Sequence, residues 1–229
     1  MLEPVGDELW IADGKPVSFY GFPYPTRMAV VRLRNGELWV WSPAALTEDL
    51  AAAIRSLGPV RHLVEPNKLH HLFLPDWVST YPEARVHAPP GLVKKRRDIS
   101  FHAELGDVPD AAWAGEIDQV VFRGSLFMEE VVFFHRRSRA ALVGDLVQKF
   151  NPEKARGFRG LLMRLDGLVG PDGSTPREWR ASFWNRRAAR AALRQALEWD
   201  AEALVIAHGI WVRRNGKEAL RRSLAWLNP

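Results

Sequence analysis

Three segments of the sequence place side chains that can ligate a metal directly after an apolar run. They are residues 63–71 with His70 and His71, residues 141–146 with Asp145, and residues 204–209 with His208. Each apolar run has the length and composition of a buried strand, and α/β folds place functional side chains at the carboxyl ends of such strands. One histidine after a strand is more often a hydrogen-bonded structural residue than a ligand. The three segments together predict one site at a shared sheet edge.

The composition restricts the chemistry that this site could support. The chain contains no cysteine, which excludes disulfides, thiolate zinc sites and a cysteine nucleophile. Imidazoles and one carboxylate suit a single divalent ion of zinc, iron or manganese, and a fourth position could hold a water acidified toward neutral pH. Such a water could attack an ester, lactone, thioester or phosphodiester. In the alternative interpretation no metal is bound, and the same side chains hydrogen-bond to the backbone or to each other.

The first part of the chain predicts a hairpin and then a helix. Residues 28–41 form two apolar runs around Asn35 and Gly36, a pair that suits a tight type I′ turn. Thr47 can cap the helix that follows, whose acidic first turn suits the positive end of the helix dipole. Gly58 precedes a proline and ends this helix.

Apolar runs of strand length dominate the middle of the chain. They lie at residues 60–66, 84–91 and 116–124, and residues 129–146 contain two more runs joined by a polar stretch. Strands and helices are mixed throughout, without an internal repeat or a linker. The pattern predicts one layered α/β domain over residues 1–229 rather than a helical bundle or an all-β barrel.

One long helix is predicted from residue 176 to about Trp199. Thr175 has the spacing of a capping box with Glu178, and Pro176 stands at the first helical position. Small and apolar residues recur at steps of three and four and form a face for packing on a sheet: Ala189, Ala192, Leu193, Ala196 and Leu197. A basic helix is predicted after the last strand.

The basic charge raises the question of nucleic-acid binding. The chain has 32 Lys and Arg against 27 Asp and Glu, a net charge of +5, and a pI of about 9.8. The arginine pairs at 186–187, 213–214 and 221–222 accompany no nucleic-acid motif, so solvated helix faces are the preferred interpretation. The charged block at residues 94–98 predicts an exposed loop, with a phosphate-binding patch as the alternative.

The sequence also favours a cytoplasmic protein with no membrane partner. No apolar run approaches the roughly 18 to 20 residues that a membrane span needs, and the first residues do not resemble a signal peptide. The expected partner is a small molecule of unknown identity, and the oligomeric state stays open.

The order of the three ligand segments resembles the metallo-β-lactamase superfamily. In that superfamily a histidine-rich motif follows an early strand, a strand-end Gly-Asp comes later, and a strand-end His-Gly lies near the C-terminus. Longer phrases are similar to a domain of unknown function that forms a degenerate family within it: residues 27–33, 58–77, 129–146 and 207–209. The resemblance covers nearly the whole chain. It implies an α/β fold, a four-layer αββα sandwich of the metallo-β-lactamase type.

Several ligands of the superfamily are missing from this chain. When residues 65–71 are laid on the motif Thr-His-x-His-x-Asp-His, Pro66 and Lys68 stand where the first two histidines belong. His70 stands in the place of the aspartate, and only His71 matches. The segment near residues 124–126 lacks the histidine of the third motif. An ammonium at Lys68 would repel an ion at the first metal position.

The resemblance therefore implies at most one divalent ion. His71, Asp145 and His208 match superfamily ligands of the second metal position, and His70 would be a fourth ligand or a proton carrier. The predicted function is a mononuclear hydrolase of an ester-like substrate. The alternative is a metal-free, non-catalytic protein that binds a ligand in the inherited cleft.

Overall fold

The structure is a computed structural model that describes residues 1–19, 22–153 and 155–228, and within these residues the strands form two sheets. The strands of the larger sheet are, in spatial and chain order, β1 Glu3–Gly6, β2 Leu9–Phe19, β3 Phe22–Arg32, β4 Leu38–Trp41, β5 Val60–Val64, β6 Arg85–Ala88 and β7 Ala103–Glu104. Pairing is antiparallel from β1 to β4 and parallel from β4 to β7.

The smaller sheet contains strands β8 Ile117–Phe122, β9 Glu130–His135, β10 Ala140–Val143 and β11 Ala203–Ile206. Its spatial order is β11-β10-β9-β8, and the pair β10 and β11 is parallel. The helices are α1 Glu48–Leu57, α2 Leu74–Thr80, α3 Leu92–Lys95, α4 Gly157–Leu165, α5 Arg177–Ala181, α6 Arg186–Ala196 and α7 Gly216–Ser223. None of the helices in the described residues is long and apolar enough to span a bilayer.

Three apolar cores separate four layers. The inner core lies between the sheets and includes the fully buried Trp39, Trp41 and Phe133. The other two cores lie on the outer sheet faces, where Ile54 of α1 packs on the larger sheet and Leu193 of α6 packs on the smaller one. Strands β4, β9, β10 and β11 are buried throughout, because their alternate residues face the inner core on one side and an outer core on the other. The predicted αββα sandwich is confirmed.

The predicted hairpin between β3 and β4 is present, but the type I′ turn is wrong. Gly36 has a φ of 84°, whereas Asn35 has no positive φ. The Gly36 N–H donates to the Leu33 carbonyl at 2.9 Å, and the Leu33 N–H donates to the Glu37 carbonyl at 2.9 Å. This is a three-residue loop closed by a left-handed glycine. The Asn35 side chain accepts from the Glu37 N–H at 3.0 Å instead of supplying a left-handed residue.

The predicted long helix is wrong in its continuity, because α5 and α6 are separate. The Thr175 hydroxyl does not cap α5, since it donates to the Leu146 carbonyl at 2.6 Å. Between the two helices the Asn185 N–H donates to the Gly124 carbonyl at 3.1 Å, and the Asn185 side chain accepts from the Ala188 N–H at 3.2 Å. A new N-cap therefore starts α6, whose predicted apolar face is buried on the small sheet.

Two histidines on neighbouring strands are buried in the fold. Nδ1 of His62 lies 3.2 Å from Nε2 of His87, and the Trp113 ring packs against both imidazoles. Burial, helped by the adjacent His62, lowers the pKa of His87 to about 3. The unfolded chain therefore binds a proton here at a higher pH than the folded chain does.

We expect His87 to make the protein sensitive to acid. Its contribution to stability is fully present above the unfolded pKa near 6.5 and is lost as the pH falls toward 3, about 2 kcal/mol of it between pH 7 and pH 5. Urea unfolding of the wild type and of His87→Gln at both pH values measures this effect. The substituted protein should lose less stability between the two pH values. An equal loss in both proteins would contradict the assignment.

Candidate metal centre

The three ligand segments meet at one edge of the sandwich. His70 lies on the loop after β5, Asp145 follows β10, and His208 follows β11. Because β4 and β5 are parallel, as are β10 and β11, the carboxyl ends of these strands open on the same side of each sheet. One ligand atom from each of the three residues lies within 4.8 Å of the others.

Each imidazole nitrogen contacts a different oxygen of the Asp145 carboxylate, at a spacing close to that between ligands of one metal ion. Nε2 of His70 lies 3.2 Å from one carboxylate oxygen of Asp145, and Nε2 of His208 lies 3.1 Å from the other. In a tetrahedral zinc site with bonds of about 2.0–2.1 Å, neighbouring ligand atoms are roughly 3.3 Å apart. The three side chains are 7, 12 and 9% exposed in the order His70, Asp145, His208, so the group is shielded from bulk water.

The backbone fixes the orientation of His208. Its Nδ1 lies 2.6 Å from the Pro25 carbonyl oxygen, which can only accept, so Nδ1 carries a proton. A neutral His208 then has a lone pair on Nε2 that faces the carboxylate of Asp145. This contact is repulsive unless Nε2 is protonated or a cation lies between the two groups. The donor set is thus arranged for a positive charge.

Ser42 fixes the orientation of His70. Its hydroxyl lies 2.7 Å from Nδ1 of His70, whose Nε2 is buried and has no hydrogen-bond partner with acceptable geometry. Ser42 has a φ of 51°, a left-handed conformation that is uncommon outside glycine. Strained backbone of this kind persists where the surrounding structure requires it, often at functional sites.

A buried hydrogen-bond network supports Asp145 from the opposite side. The Asn67 amide donates to Asp145 at 2.9 Å and to Glu130 at 2.8 Å. The Glu130 carboxyl also accepts backbone N–H groups of residues 144–146, at 2.8 Å from Gly144 and 2.7 Å from Asp145. Outer hydrogen bonds of this kind orient metal ligands and tune their affinity.

The close approach of this network requires glycine at position 144. A Cβ on Gly144 would lie 2.9 Å from a Glu130 carboxylate oxygen and 3.2 Å from the Asn67 amide nitrogen. Any other residue would displace Glu130 and, through it, the backbone of Asp145. The Gly-Asp pair after β10 therefore has a packing reason as well as a ligand.

Burial and neighbouring charges shift the pKa values of this group in opposite directions. Burial alone would raise the pKa of Asp145, but His208 and His70 outweigh it and hold that pKa well below its usual range. Burial lowers the pKa of His70, and the charge of Asp145 only partly offsets it. For His208 burial is outweighed by Asp145, so its pKa is raised. Burial and the negative charge of Asp145 raise the pKa of Glu130 to about 8.

Comparison with known proteins places this site in a family. The family model described as "Domain of unknown function (DUF4336)" matches residues 7–162, about two thirds of the chain. The chain belongs to the DUF4336 family. The matched range includes His70 and Asp145, while His208 lies beyond it. None of the curated proteins matches the chain in sequence.

Solved structures show the fold of this DUF4336 chain. A metallo-beta-lactamase from Pontibacter korlensis is similar with a TM-score of 0.67 and 14% identity, covering 100% of this chain and 98% of that one. A metallo-beta-lactamase from Erythrobacter litoralis is similar with a TM-score of 0.66 and 13% identity, covering 99% of this chain and 95% of that one. A metallo-beta-lactamase from Hirschia baltica is similar with a TM-score of 0.63 and 12% identity, covering 99% of this chain and 96% of that one. The DUF4336 chain therefore has the metallo-β-lactamase fold.

His71, predicted as a ligand from the motif register, lies outside the group in the DUF4336 structure. Arg96 Nη1 donates to His71 Nδ1 at 2.8 Å, so the neutral ring carries its proton on Nε2 and has no free lone pair. Burial, with the charges of Lys95 and Arg96, lowers the pKa of His71 to about 4. His70, in the place of the superfamily's aspartate, joins Asp145 and His208 instead.

Lys68 also departs from the expectation. Its ammonium lies 5.5 Å from the centre of the Phe127 ring, and Lys68 does not line the cleft that contains His70, Asp145 and His208. The position next to it supplies Asn67, whose amide binds Asp145.

Sequence reasoning underestimated two residues of the DUF4336 site. Glu130 is fully buried, although an adjacent pair of acids such as Glu129 and Glu130 is typical of an exposed surface. Asn67 lies within the segment that aligns with the histidine motif, and its amide binds Asp145. The position of Glu130 is the available signal, because it opens an apolar strand and an acidic residue in such a strand is buried only with partners.

The ligand group opens into a cleft of about 530 Å³. Its wall is mainly apolar and includes Leu69, Leu72, Phe127, Met128 and Trp179, together with His71 and Lys95. A neighbouring cavity of about 880 Å³ shares Tyr24, Arg27 and Glu178 with this cleft, but none of the three ligand residues lines it. A ligand in the smaller cleft can therefore reach the ligand group directly.

Proposed function

We propose that this DUF4336 protein binds one divalent metal ion through His70, Asp145 and His208 and uses it to hydrolyse an ester-like substrate. The observation that carries the proposal is the orientation of His208. Its Nδ1–H is held by the Pro25 carbonyl, so its Nε2 lone pair faces Asp145 at 3.1 Å, where a cation would relieve the repulsion. Two imidazoles and one carboxylate are a ligand set of catalytic zinc sites, which keep a further position open.

The residues of the chain have distinct roles under this proposal. His70 and His208 supply neutral imidazole nitrogens, and Asp145 supplies the carboxylate. Asn67 and Glu130 hold Asp145 in place, since they bind its side chain and its backbone N–H respectively. A divalent ion held there supplies Lewis-acid chemistry, which polarises a carbonyl or phosphoryl group and acidifies water. The apolar cleft beside the ligands positions an ester, lactone, thioester or phosphodiester and excludes bulk water.

Elemental analysis of the purified protein tests the metal centre. We expect close to one zinc, iron or manganese ion per chain, and less than about a tenth of that in His208→Ala, because two ligands hold a divalent ion poorly. Circular dichroism of the substituted protein controls for misfolding. Wild-type protein that is metal-free as isolated, and that takes up none of these ions on titration, would refute the proposal.

The second candidate is a metal-free binding protein, and the raised pKa of His208 favours it. If Nε2 of His208 is protonated, it forms a buried ion pair with Asp145 at 3.1 Å, and no metal is needed to offset the repulsion between the two groups. The cleft would then bind a small molecule without turning it over. Ligand-induced thermal stabilisation that is unchanged by a chelator supports this candidate, whereas turnover that requires metal excludes it.

Three of the six arginines in the pairs at 186–187, 213–214 and 221–222 bind acidic side chains of the protein itself. Arg213 is paired with Glu3 at 2.5 Å, Arg221 with Glu218 at 2.6 Å, and Arg222 with Asp172 at 2.7 Å. Each of these guanidinium groups has an acidic partner on the protein itself. They fit the interpretation of solvated helix faces with surface ion pairs.

A further inference from the structure

Two ammonium groups lie beside the cleft: Lys95 lines it, and Nζ of Lys68 lies 5.5 Å from the ring centre of Phe127, a residue of the cleft wall. Lys95, at the end of α3, lines the cleft, and its Nζ donates to the Lys68 carbonyl at 2.9 Å. Within the part of the chain that the structure describes, no carboxylate oxygen lies within 4.0 Å of the ammonium of Lys95 or of Lys68. The neighbouring Arg96 differs, since Asp98 binds it through both oxygens at 2.8 and 2.7 Å.

The positive charges around Lys95 repel one another. Partial burial, followed by the charges of Lys68 and Arg96, lowers the pKa of Lys95. A negative group placed between the two lysines would relieve this repulsion and gain a charge-assisted hydrogen bond. The arrangement therefore favours an anion at this point of the cleft.

The rest of the cleft wall suits an apolar chain. Leu72 and Phe127 are 58 and 47% exposed, which is high for large apolar side chains beside a site. Leu69, Met128 and Trp179 continue the apolar wall. Exposed apolar surface that is contiguous with a concave site is typical of ligand binding.

The charges along the cleft also give the ligand a direction. Lys95 lines only the smaller cleft, whereas the exposed Glu178 lines both the cleft and the neighbouring cavity. A negative group would be repelled near Glu178 and attracted near Lys95. The lysine end of the cleft is therefore the favoured position for the anionic end of a ligand.

We propose that the cleft binds an amphiphilic anion, with its negative group between Lys68 and Lys95 and its apolar chain along the wall formed by Leu69, Phe127 and Trp179. As a statement about substrate class this rests on the proposed hydrolase, whose substrate would then be an ester that carries a carboxylate or phosphate group and an apolar chain. As a statement about binding it is independent of the metal.

Calorimetric titration with octanoate and with neutral octanamide tests the proposal on the full chain. We expect the wild type to bind octanoate several times more tightly than octanamide. Lys95→Met should weaken octanoate about threefold to fivefold, the effect of one partly exposed charge pair, and should leave octanamide unchanged. The double substitution Lys68→Met and Lys95→Met should weaken octanoate further.

Lys94→Met is the matched control, because Lys94 is an exposed lysine on the same short helix and does not line the cleft. Equal affinities for octanoate and octanamide, no binding of either, or equal losses in Lys94→Met and Lys95→Met would each overturn the proposal. The titrations are repeated after chelator treatment. The proposal is also overturned if octanoate binding requires the metal and is unchanged in Lys95→Met. If the protein holds no metal but binds octanoate through Lys95, only the proposed hydrolase is refuted.

Discussion

His70→Ala is expected to weaken metal binding by at least about a hundredfold, while His71→Ala leaves the affinity within about threefold, because removing a ligand costs more than the 10–100-fold typical of outer hydrogen-bond partners. His70 Nε2 faces Asp145 at 3.2 Å, whereas the Nδ1 lone pair of His71 is taken by Arg96. Zinc titration with a competing chromophoric chelator measures both affinities.

The two histidines are adjacent in sequence, so the two substitutions control for each other. Their thermal unfolding without metal should be measured in parallel, so that a loss of structure is separated from a loss of ligand. The opposite pattern, with metal lost in His71→Ala and kept in His70→Ala, would show that the superfamily register gives the true ligand and that the observed ring positions do not.

Glu130→Ala is expected to lower the free energy of unfolding by about 3–5 kcal/mol, because each buried donor left without an acceptor costs about 1–3 kcal/mol. The substitution leaves the N–H groups of residues 144–146 buried without their acceptor and removes one of the two carboxylates bound by Asn67. Chemical denaturation of the metal-free protein measures the change, which separates it from any effect on metal affinity.

Glu129→Ala is the matched control for this substitution. Glu129 precedes Glu130 and is only partly buried, so we expect its removal to change stability by less than about 0.5 kcal/mol. Similar losses in the two proteins would mean that helix and sheet packing, rather than the Glu130 network, determines the stability of this edge.

The position of the site and the three residues of the group were predictable from local sequence, but the choice between His70 and His71 was not. Each of the three apolar runs is followed by a His or an Asp within about ten residues. These local patterns predicted residues that meet at one edge of the sandwich. The choice between His70 and His71 depends on Arg96, 25 residues further along the chain, and on Ser42, 28 residues before His70. A local sequence pattern cannot predict which of two adjacent imidazole rings will hydrogen-bond to groups so distant in the chain.

The errors in the fold have the same origin. The pattern that predicted one helix from residue 176 was correct for the buried face of α6, and it failed where the Gly124 carbonyl binds Asn185. Likewise, Glu130 lies 63 residues from the Asn67 amide that binds it. Periodicity predicts which residues are buried, while polar contacts between distant segments decide where elements end and which polar side chains join them.

The candidate ligands come from both halves of the sandwich. His70 follows a strand of the larger sheet, and Asp145 and His208 follow strands of the smaller one. An ion bound by all three would therefore cross-link the two sheets at their open edge, where Asn67 and Glu130 already join them. Since such an ion binds only the folded chain, at a free concentration of 100 times its dissociation constant it would add about 2.7 kcal/mol to stability. Availability of the ion in the cell would then set how much of the protein persists in folded form, whatever its substrate.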